Sequence, residues 1–205
     1  MLVDASVREL LNAFASSDPT PGGGSAAALA SGIGAALLTM VAGLPKTRNG
    51  TDEDRAALDR AAAALAGVRR QLTDAVDADT AAYNRVVSAY KMAKASDAEK
   101  AARKAAIQNG LRAATDVPLN VVRLSAQALD AASAVALHGH RGASSDVGVA
   151  IALLRAGLQG ARLNVEINLG SIEDAGYKQN VEDELERTMG AARTTADAAE
   201  QALSG

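Results

Sequence analysis

Cysteine is absent from this 205-residue chain, which removes disulfides, thiolate zinc sites and cysteine nucleophiles from consideration. Histidine occurs twice, too seldom for a histidine-rich centre, and no metal site is expected. Tryptophan is missing, phenylalanine occurs once and tyrosine three times. Alanine, leucine and valine must therefore fill the core, and small side chains let helix backbones approach closely. No block of like charge exists. The 21 basic and 24 acidic residues are interleaved at a net charge of -3, leaving no field to hold a polyanion, so no nucleic-acid partner is expected. The start, Met1-Leu2-Val3-Asp4, lacks the basic flank and apolar run of a signal peptide, and a cytoplasmic location is expected. One uncharged stretch, Ala26 to Leu44, approaches the length of a membrane helix. Its alanine, glycine and serine content suits a close-packed buried helix instead, and no membrane partner is expected. Chemistry is left to carboxylates, amines, hydroxyls and amides.

What is present is helical periodicity from Val3 onward, with no alternating β-branched run long enough for a sheet. The expected fold is an all-α multi-helix bundle, one domain over residues 1–205. Val7, Leu10, Leu11 and Phe14 form a stripe on a helix from Val3 to Ala15, ended by Ser16 to Pro21. A second helix is expected from Ser25 to Leu44 and a loop from Pro45 to Gly50. Thr51 or Asp52 caps a long helix reaching about Ala95. Ser96-Asp97 opens another that must bend or break near Pro118 and ends near His138 and Gly139. Ser144-Ser145-Asp146 starts a helix to Asn168 or Leu169, and Ser171 to Asp174 starts the last. A bundle so poor in aromatics gains core by pairing, and symmetric dimers are the commonest assembly, so a homodimer is expected.

Four groupings could carry chemistry. Pro21-Gly22-Gly23-Gly24-Ser25 heads the uncharged helix. Glycines admit unusual backbone angles and close approach, and free N-terminal amides favour an anion. With no Gly-Lys-Ser/Thr following, it is no nucleotide loop, and a tight turn and a ligand loop remain equal readings. Asp79, Tyr83, Val86, Tyr90 and Lys94 share one face of the long helix by their spacing, as a solvated face or a site. Asn164 and Asn168 lie one turn apart among apolar residues, and such amides need partners, whether a neighbouring helix or the edge of a heterocycle. Asp146 beside Ser144 and Ser145 suits simple capping. His138 and His140 lie near a helix C-terminus, where capping is the expected role.

Taken in order, these pieces resemble the cyclodeaminase/methenyltetrahydrofolate cyclohydrolase family. The resemblance runs from Pro21-Gly22-Gly23-Gly24-Ser25 to Met40-Val41, through Asp79-Thr80-Ala81-Ala82-Tyr83, Ala89-Tyr90 and Lys94, then Lys104 to Gln108 and Val117-Pro118-Leu119. It closes on Ser145-Asp146-Val147-Gly148-Val149-Ala150 and Asn164-Val165-Glu166-Ile167-Asn168-Leu169. The resemblance implies an all-helical dimer with clefts partly formed between subunits, no metal or redox cofactor, and a tetrahydrofolate derivative as substrate. It implies Asp79 and Asp146 as the leading carboxylates, Lys94 as proton donor or anchor, and Asn164 and Asn168 on the pterin, with Tyr83 nearby. The glycine loop, Pro21 to Ser25, would shape the cleft wall or receive a carboxylate. Lys46 and Arg48, expected near that loop, would take the glutamate tail. The chain departs from the family pattern where Gly43 and Pro45 stand for the usual Asn and Thr, Met92-Ala93-Lys94 for Leu-Pro-Lys, and Gly139-His140 for Gly-Asn.

The implied reaction is hydrolysis of 5,10-methenyltetrahydrofolate to 10-formyltetrahydrofolate. It is preferred to cyclodeamination of 5-formiminotetrahydrofolate because the sequence carries no formiminotransferase segment. A non-catalytic folate-binding or scaffold dimer is the alternative from outside enzymology, and action on another amidine or cyclic imine a third.

Overall fold

The computed structural model describes residues 1–203. Within them are six α-helices: α1 (Val7–Phe14), α2 (Gly23–Ala42), α3 (Asp52–Tyr90), α4 (Asp97–His138), α5 (Ser144–Leu169) and α6 (Ala175–Leu203). Two short 3-10 turns, Leu2–Asp4 and Arg141–Ala143, complete the regular structure, and no strand occurs among the described residues. The all-α expectation holds.

Local chemistry explains most boundaries. Ser6 and Glu9 form a reciprocal capping box that starts α1, so Val3 belongs instead to the first 3-10 turn. Its amide and that of Leu2 donate to Asp77 at 3.5 and 2.6 Å. No residue of α1 is buried. Thr51 caps α3, and Ser96 with Glu99 forms the box that starts α4. The glycine run lies inside the first turn of α2, with Gly22 as N-cap, two residues ahead of the expected start at Ser25.

Two expectations fail. The long helix stops at Tyr90 rather than Ala95. No strong breaker sits there; the docking of α4 back on α3 ends it, and Arg103 donates to the Tyr90 carbonyl at 3.2 and 3.0 Å. Nor does α4 break at Pro118, which is buried inside one continuous helix. Proline lacks the N–H that would bond the carbonyl four residues back, that of Ala114. Asn168 Nδ2 donates to this carbonyl at 2.7 Å, so α5 supplies the bond that α4 cannot make.

The helices alternate in direction. Ser25 on α2 meets Val76 and Asp79 on α3, while Arg55 near the start of α3 donates to the carbonyls of Ala42 and Leu44. Val86 packs on Gly110 and Asp54 bonds His138, making α3 and α4 antiparallel. Asp174 just before α6, and Glu184 and Thr195 on it, meet Arg112, Arg123 and Asp130 in order, so α6 runs with α4. Against α2, α5 is antiparallel and very close. A Cβ added at Gly157 would fall on the Ser31 hydroxyl and the Ala27 carbonyl, and one at Gly34 on Leu154. Leu38, Leu58, Leu65, Leu72, Leu119 and Leu129 are fully buried between the layers, each stabilising by about 1.5–3 kcal/mol relative to exposure. Among the described residues α2 alone is long and apolar enough to cross a membrane, yet half of that window is buried inside the bundle, in keeping with the close-packed reading.

This arrangement gives the bundle two ends. The glycine end holds the start of α2, the middle of α3 and the end of α5. The loop end holds residues 45–50, the start of α3, the end of α4 and the start of α5.

Candidate active site

At the glycine end, residues 54 positions apart meet. The Ser25 amide donates to Asp79 Oδ2 at 2.9 Å and its hydroxyl lies 3.1 Å from the same oxygen, while also donating to the Val76 carbonyl at 2.8 Å. Asp79 Oδ1 lies directly over Gly24, where any Cβ would overlap it. This oxygen accepts no hydrogen bond from the described residues. The first turn of α2, at the end of the glycine run, thus receives the chain's own Asp79 through the Ser25 amide. Burial raises the Asp79 carboxyl above its ordinary value, outweighing the two Ser25 hydrogen bonds that lower it. A carboxylate whose proton affinity is raised by burial, with one oxygen unpartnered, suits proton transfer.

Asn164 stands on the other flank. Its amide nitrogen would lie 3.5 Å from a Cβ at Gly23 and donates to the Gly160 carbonyl at 2.9 Å. Tyr83 follows one turn beyond Asp79 and is 40% exposed. Pro21 and Gly22 are half-buried at the entry to α2. Gly22 to Ser25, Asp79, Tyr83 and Asn164 therefore form one grouping. Asn168 lies a turn farther along α5, and its amide is committed to Ala114.

Other candidates stand elsewhere. Lys94 is exposed in the turn between α3 and α4, so it leaves the helical stripe on which spacing placed it. Tyr90 ends α3 with the Arg103 guanidinium 5.6 Å from its ring centre. Lys46 and Arg48 are not near the glycine loop. They lie past the far end of α2, a 20-residue helix and so about 30 Å long. Asp146, in the first turn of α5, is also at the loop end, opposite Asp79. It makes no side-chain capping bond; Ser144 Oγ donates to the Arg141 carbonyl at 2.8 Å.

The loop end has its own order. Asp54 is 2% exposed and bonds His138 Nδ1 at 2.8 Å, accepting also from the Asn49 amide at 2.7 Å and the Thr47 hydroxyl at 3.2 Å. His138, Asn49 and Thr47 hold its carboxyl well below the usual range against the opposing effect of burial. His138 therefore partners a buried acid rather than capping its helix. Nor does His140 cap the end of α4; it caps the start of the following 3-10 turn, accepting from the Gly142 amide at 3.2 Å. Sequence reasoning missed Asp54, because Asp52, Glu53 and Asp54 all stand in the first turn of α3 and only tertiary packing distinguishes the third. The Arg48 amide donates to the His138 carbonyl at 2.8 Å and its Nη2 to the Ala136 carbonyl at 3.0 Å. Lys46, Arg48, His140 and Arg141 line a recess of about 470 Å³ together with Thr47 and Asn49, and no acidic side chain lines it.

With this geometry in view, the similarities are informative. The sequence profile of the formiminotransferase-cyclodeaminase family matches residues 6–187. A methenyltetrahydrofolate cyclohydrolase of Methylorubrum extorquens is 40% identical over 91% of this chain and 89% of its own length. The formimidoyltransferase-cyclodeaminase of Rattus norvegicus is 33% identical over 95% of this chain, which spans only 36% of that protein. The crystal structure of a formiminotetrahydrofolate cyclodeaminase from Thermotoga maritima superposes with a TM-score of 0.89, at 27% identity, covering 100% of this chain and 98% of that one. The match runs from the capping box of α1 into α6 and takes in both ends of the bundle: this chain belongs to the formiminotransferase-cyclodeaminase family.

Proposed function

We propose that this chain is a tetrahydrofolate one-carbon enzyme that hydrolyses 5,10-methenyltetrahydrofolate to 10-formyltetrahydrofolate, acting as a cytoplasmic homodimer. The observation that carries the reading is Asp79, fixed on the glycine turn through Oδ2 with Oδ1 unbonded above Gly24. The substrate's one-carbon bridge between N5 and N10 is cationic. A carboxylate beside it stabilises that charge, and with a raised proton affinity it takes a proton from the attacking water. Water oxygen bonds to the bridge carbon, giving a tetrahedral centre. The bond from carbon to N5 then breaks, a proton goes to N5, and the formyl group stays on N10. The net change is addition of one water and release of one proton, with no change in oxidation state, so the reaction asks for no redox cofactor.

Asp79 is the base in this scheme, and Asn164 meets the pterin's donor and acceptor edge beside Gly23. Tyr83 borders the opening, and Lys94 stands apart from it in the turn between α3 and α4. Asp146 enters the same cleft only from a second copy, since its own chain holds it at the opposite end of α2. The paired state is supported by the outer faces of α2 and α5, where Ile33, Met40, Val149, Leu163 and Ile167 are exposed. The extent of similarity to the Methylorubrum cyclohydrolase favours hydration. The decisive measurement is loss of the substrate's near-ultraviolet absorbance. Acceleration over the spontaneous rate is expected, with a fall of about 100-fold or more in Asp79→Asn; a parent protein no faster than buffer sinks the proposal.

The Thermotoga neighbour, a cyclodeaminase of nearly identical architecture, favours a second reading. Both reactions pass through a tetrahedral carbon between N5 and N10, and in deamination the proton goes to departing ammonia instead. Ammonia release from 5-formiminotetrahydrofolate, measured on the same preparation, ranks the two activities.

A further inference from the structure

We propose that Gln108 is a positioning residue of the active site: it locks the end of α5 to α4 and so holds Asn164 against the glycine turn that receives Asp79. The inference rests on the folate reading above. It gives a task to the segment from Lys104 to Gln108, which the reaction scheme leaves unused.

Lys104, Gln108, Arg112 and Asp116 are spaced by four and so share one face of α4. All four reach the connection from α5 to α6. Lys104 pairs with Glu173 at 2.8 Å and Arg112 with Asp174 at 2.6 Å, while Asp116 accepts from the Tyr177 hydroxyl at 2.7 Å. Both ion pairs are exposed, and such pairs contribute little. Gln108 differs, because both ends of its amide bond backbone: Nε2 donates to the Ser171 carbonyl at 3.2 Å, and Oε1 accepts from the Glu173 amide at 2.9 Å. Two bonds from one planar group fix distance and orientation together. The turn they hold is continuous with α5, since the Ser171 amide donates to the Asn168 carbonyl at 3.1 Å. Asn168 Nδ2 reaches back to Ala114, so α4 grips the end of α5 at two points.

Asn164 depends on that grip. Its Nδ2 is spent on the Gly160 carbonyl of its own helix, and it makes no side-chain bond to another helix among the described residues. Only the placement of α5 keeps it 3.5 Å from the Cβ position of Gly23. Close contacts with α2 pin α5 at Gly157 and Gly160; beyond them the links to α4 place the end of the helix. The frame on the other side is equally firm. Gly110, two residues from Gln108, lets α4 meet α3, with a Cβ there only 3.3 Å from Val86 Cγ2. Val86 stands two turns beyond Asp79 on the same face of α3. A circuit thus runs from Asp79 to Val86, from Gly110 to Gln108, and from Ser171 back to Asn164. Loss of Gln108 loosens it on the Asn164 side alone, because Ser25 on α2 holds Asp79.

Steady-state kinetics on four proteins test this: the parent, Gln108→Ala, Asn164→Ala and the double variant. Gln108→Ala is expected to raise KM for methenyltetrahydrofolate about 10-fold and keep kcat within about 2-fold, because the pterin contact shifts while Asp79 does not. In the Asn164→Ala background the same substitution is expected to change KM by less than about 2-fold, as for residues that act through one another. Gln108→Met keeps the side-chain length and loses both bonds. It should match the alanine variant, and it carries the comparison if that variant does not fold. Parental KM in these variants overturns the inference. So does an equal rise with and without Asn164, which is what general loosening gives. Amide hydrogen exchange needs no substrate and keeps the two readings apart. Gln108→Ala or Gln108→Met is expected to speed exchange about 10-fold over residues 165–173 and to leave residues 76–83 unchanged. Unchanged exchange over 165–173 overturns the inference whatever the activity. A parent that does not turn methenyltetrahydrofolate over sinks the catalytic reading, and the exchange result alone then decides whether Gln108 holds α5.

Discussion

Gly24 and Asp79 occupy adjoining space so closely that neither position is free to change alone: the carboxylate oxygen Oδ1 lies where a Cβ at residue 24 would be built. Gly24→Ala is therefore expected to push the Asp79 carboxylate off the turn. Overpacking of this kind destabilises by about 1–3 kcal/mol, but the larger effect falls on turnover, which should drop about 100-fold or more as the base leaves its place. Thermal melts and initial rates on one preparation check it. A variant with parental kcat would show that Asp79 does not act from its observed position.

Asp79→Asn separates chemistry from stability. Burial makes the folded chain hold the Asp79 proton more tightly than the unfolded chain does. The stabilisation from that proton is present below the ordinary carboxylate range and is lost as the pH rises through the raised value. At neutral pH the ionised carboxylate is a cost, which asparagine removes while keeping an acceptor for the Ser25 amide. The variant should melt at or above the parent's Tm at pH 7, with the difference narrowing toward pH 4, and yet be inactive. A clearly lower Tm at pH 7 would show that the Ser25 bonds outweigh the burial cost.

The junction of Pro118 and Asn168 predicts non-additivity. Asn168→Ala in the parent leaves the half-buried Ala114 carbonyl without a donor and should cost about 1 kcal/mol. In a Pro118→Ala background the helix supplies that donor itself, so the same substitution should cost less. A double-mutant cycle from urea melts should give a coupling of about 0.5 kcal/mol or more; additive values would mean the bond contributes nothing.

Asp54 governs the acid side of the stability profile. Its carboxyl is held below the ordinary value by His138, Asn49 and Thr47. The corresponding stabilisation is complete above the ordinary carboxylate range and is lost as the pH falls below that range toward the lowered value. Asp54→Asn should lower Tm at pH 7 by on the order of 5 °C and flatten the decline toward low pH. Unchanged melting across pH 3–7 would remove Asp54 from this role.

These relationships divide into those a sequence can show and those it cannot. Capping chemistry is local, so Thr51 or Asp52 and Ser96-Asp97 mark the starts of α3 and α4 to within a residue. Pro118 misled because the missing donor was replaced from α5, and no local rule reports a bond made 54 residues away. The turn after Tyr90 was likewise set by packing. For the site, the glycine run and Asp79 were each visible, but not that one receives the other. Lys46 and Arg48 stand about two dozen residues from the glycine run in sequence and were placed beside it. An uninterrupted helix between them does the reverse, carrying them to the far end of the bundle.

That helix has a wider consequence. Because α2 meets α5 through backbone and small side chains at Gly34, Gly157 and Gly160, the two cannot slide without collision, and α2 behaves as a ruler of fixed length. Loops at either end can drift in sequence, as Gly43 and Pro45 have, and the reading marks stay where they are. An insertion inside α2 would move both marks at once. Lineages of this fold should therefore vary freely in the loop after α2 while conserving the number of residues within it.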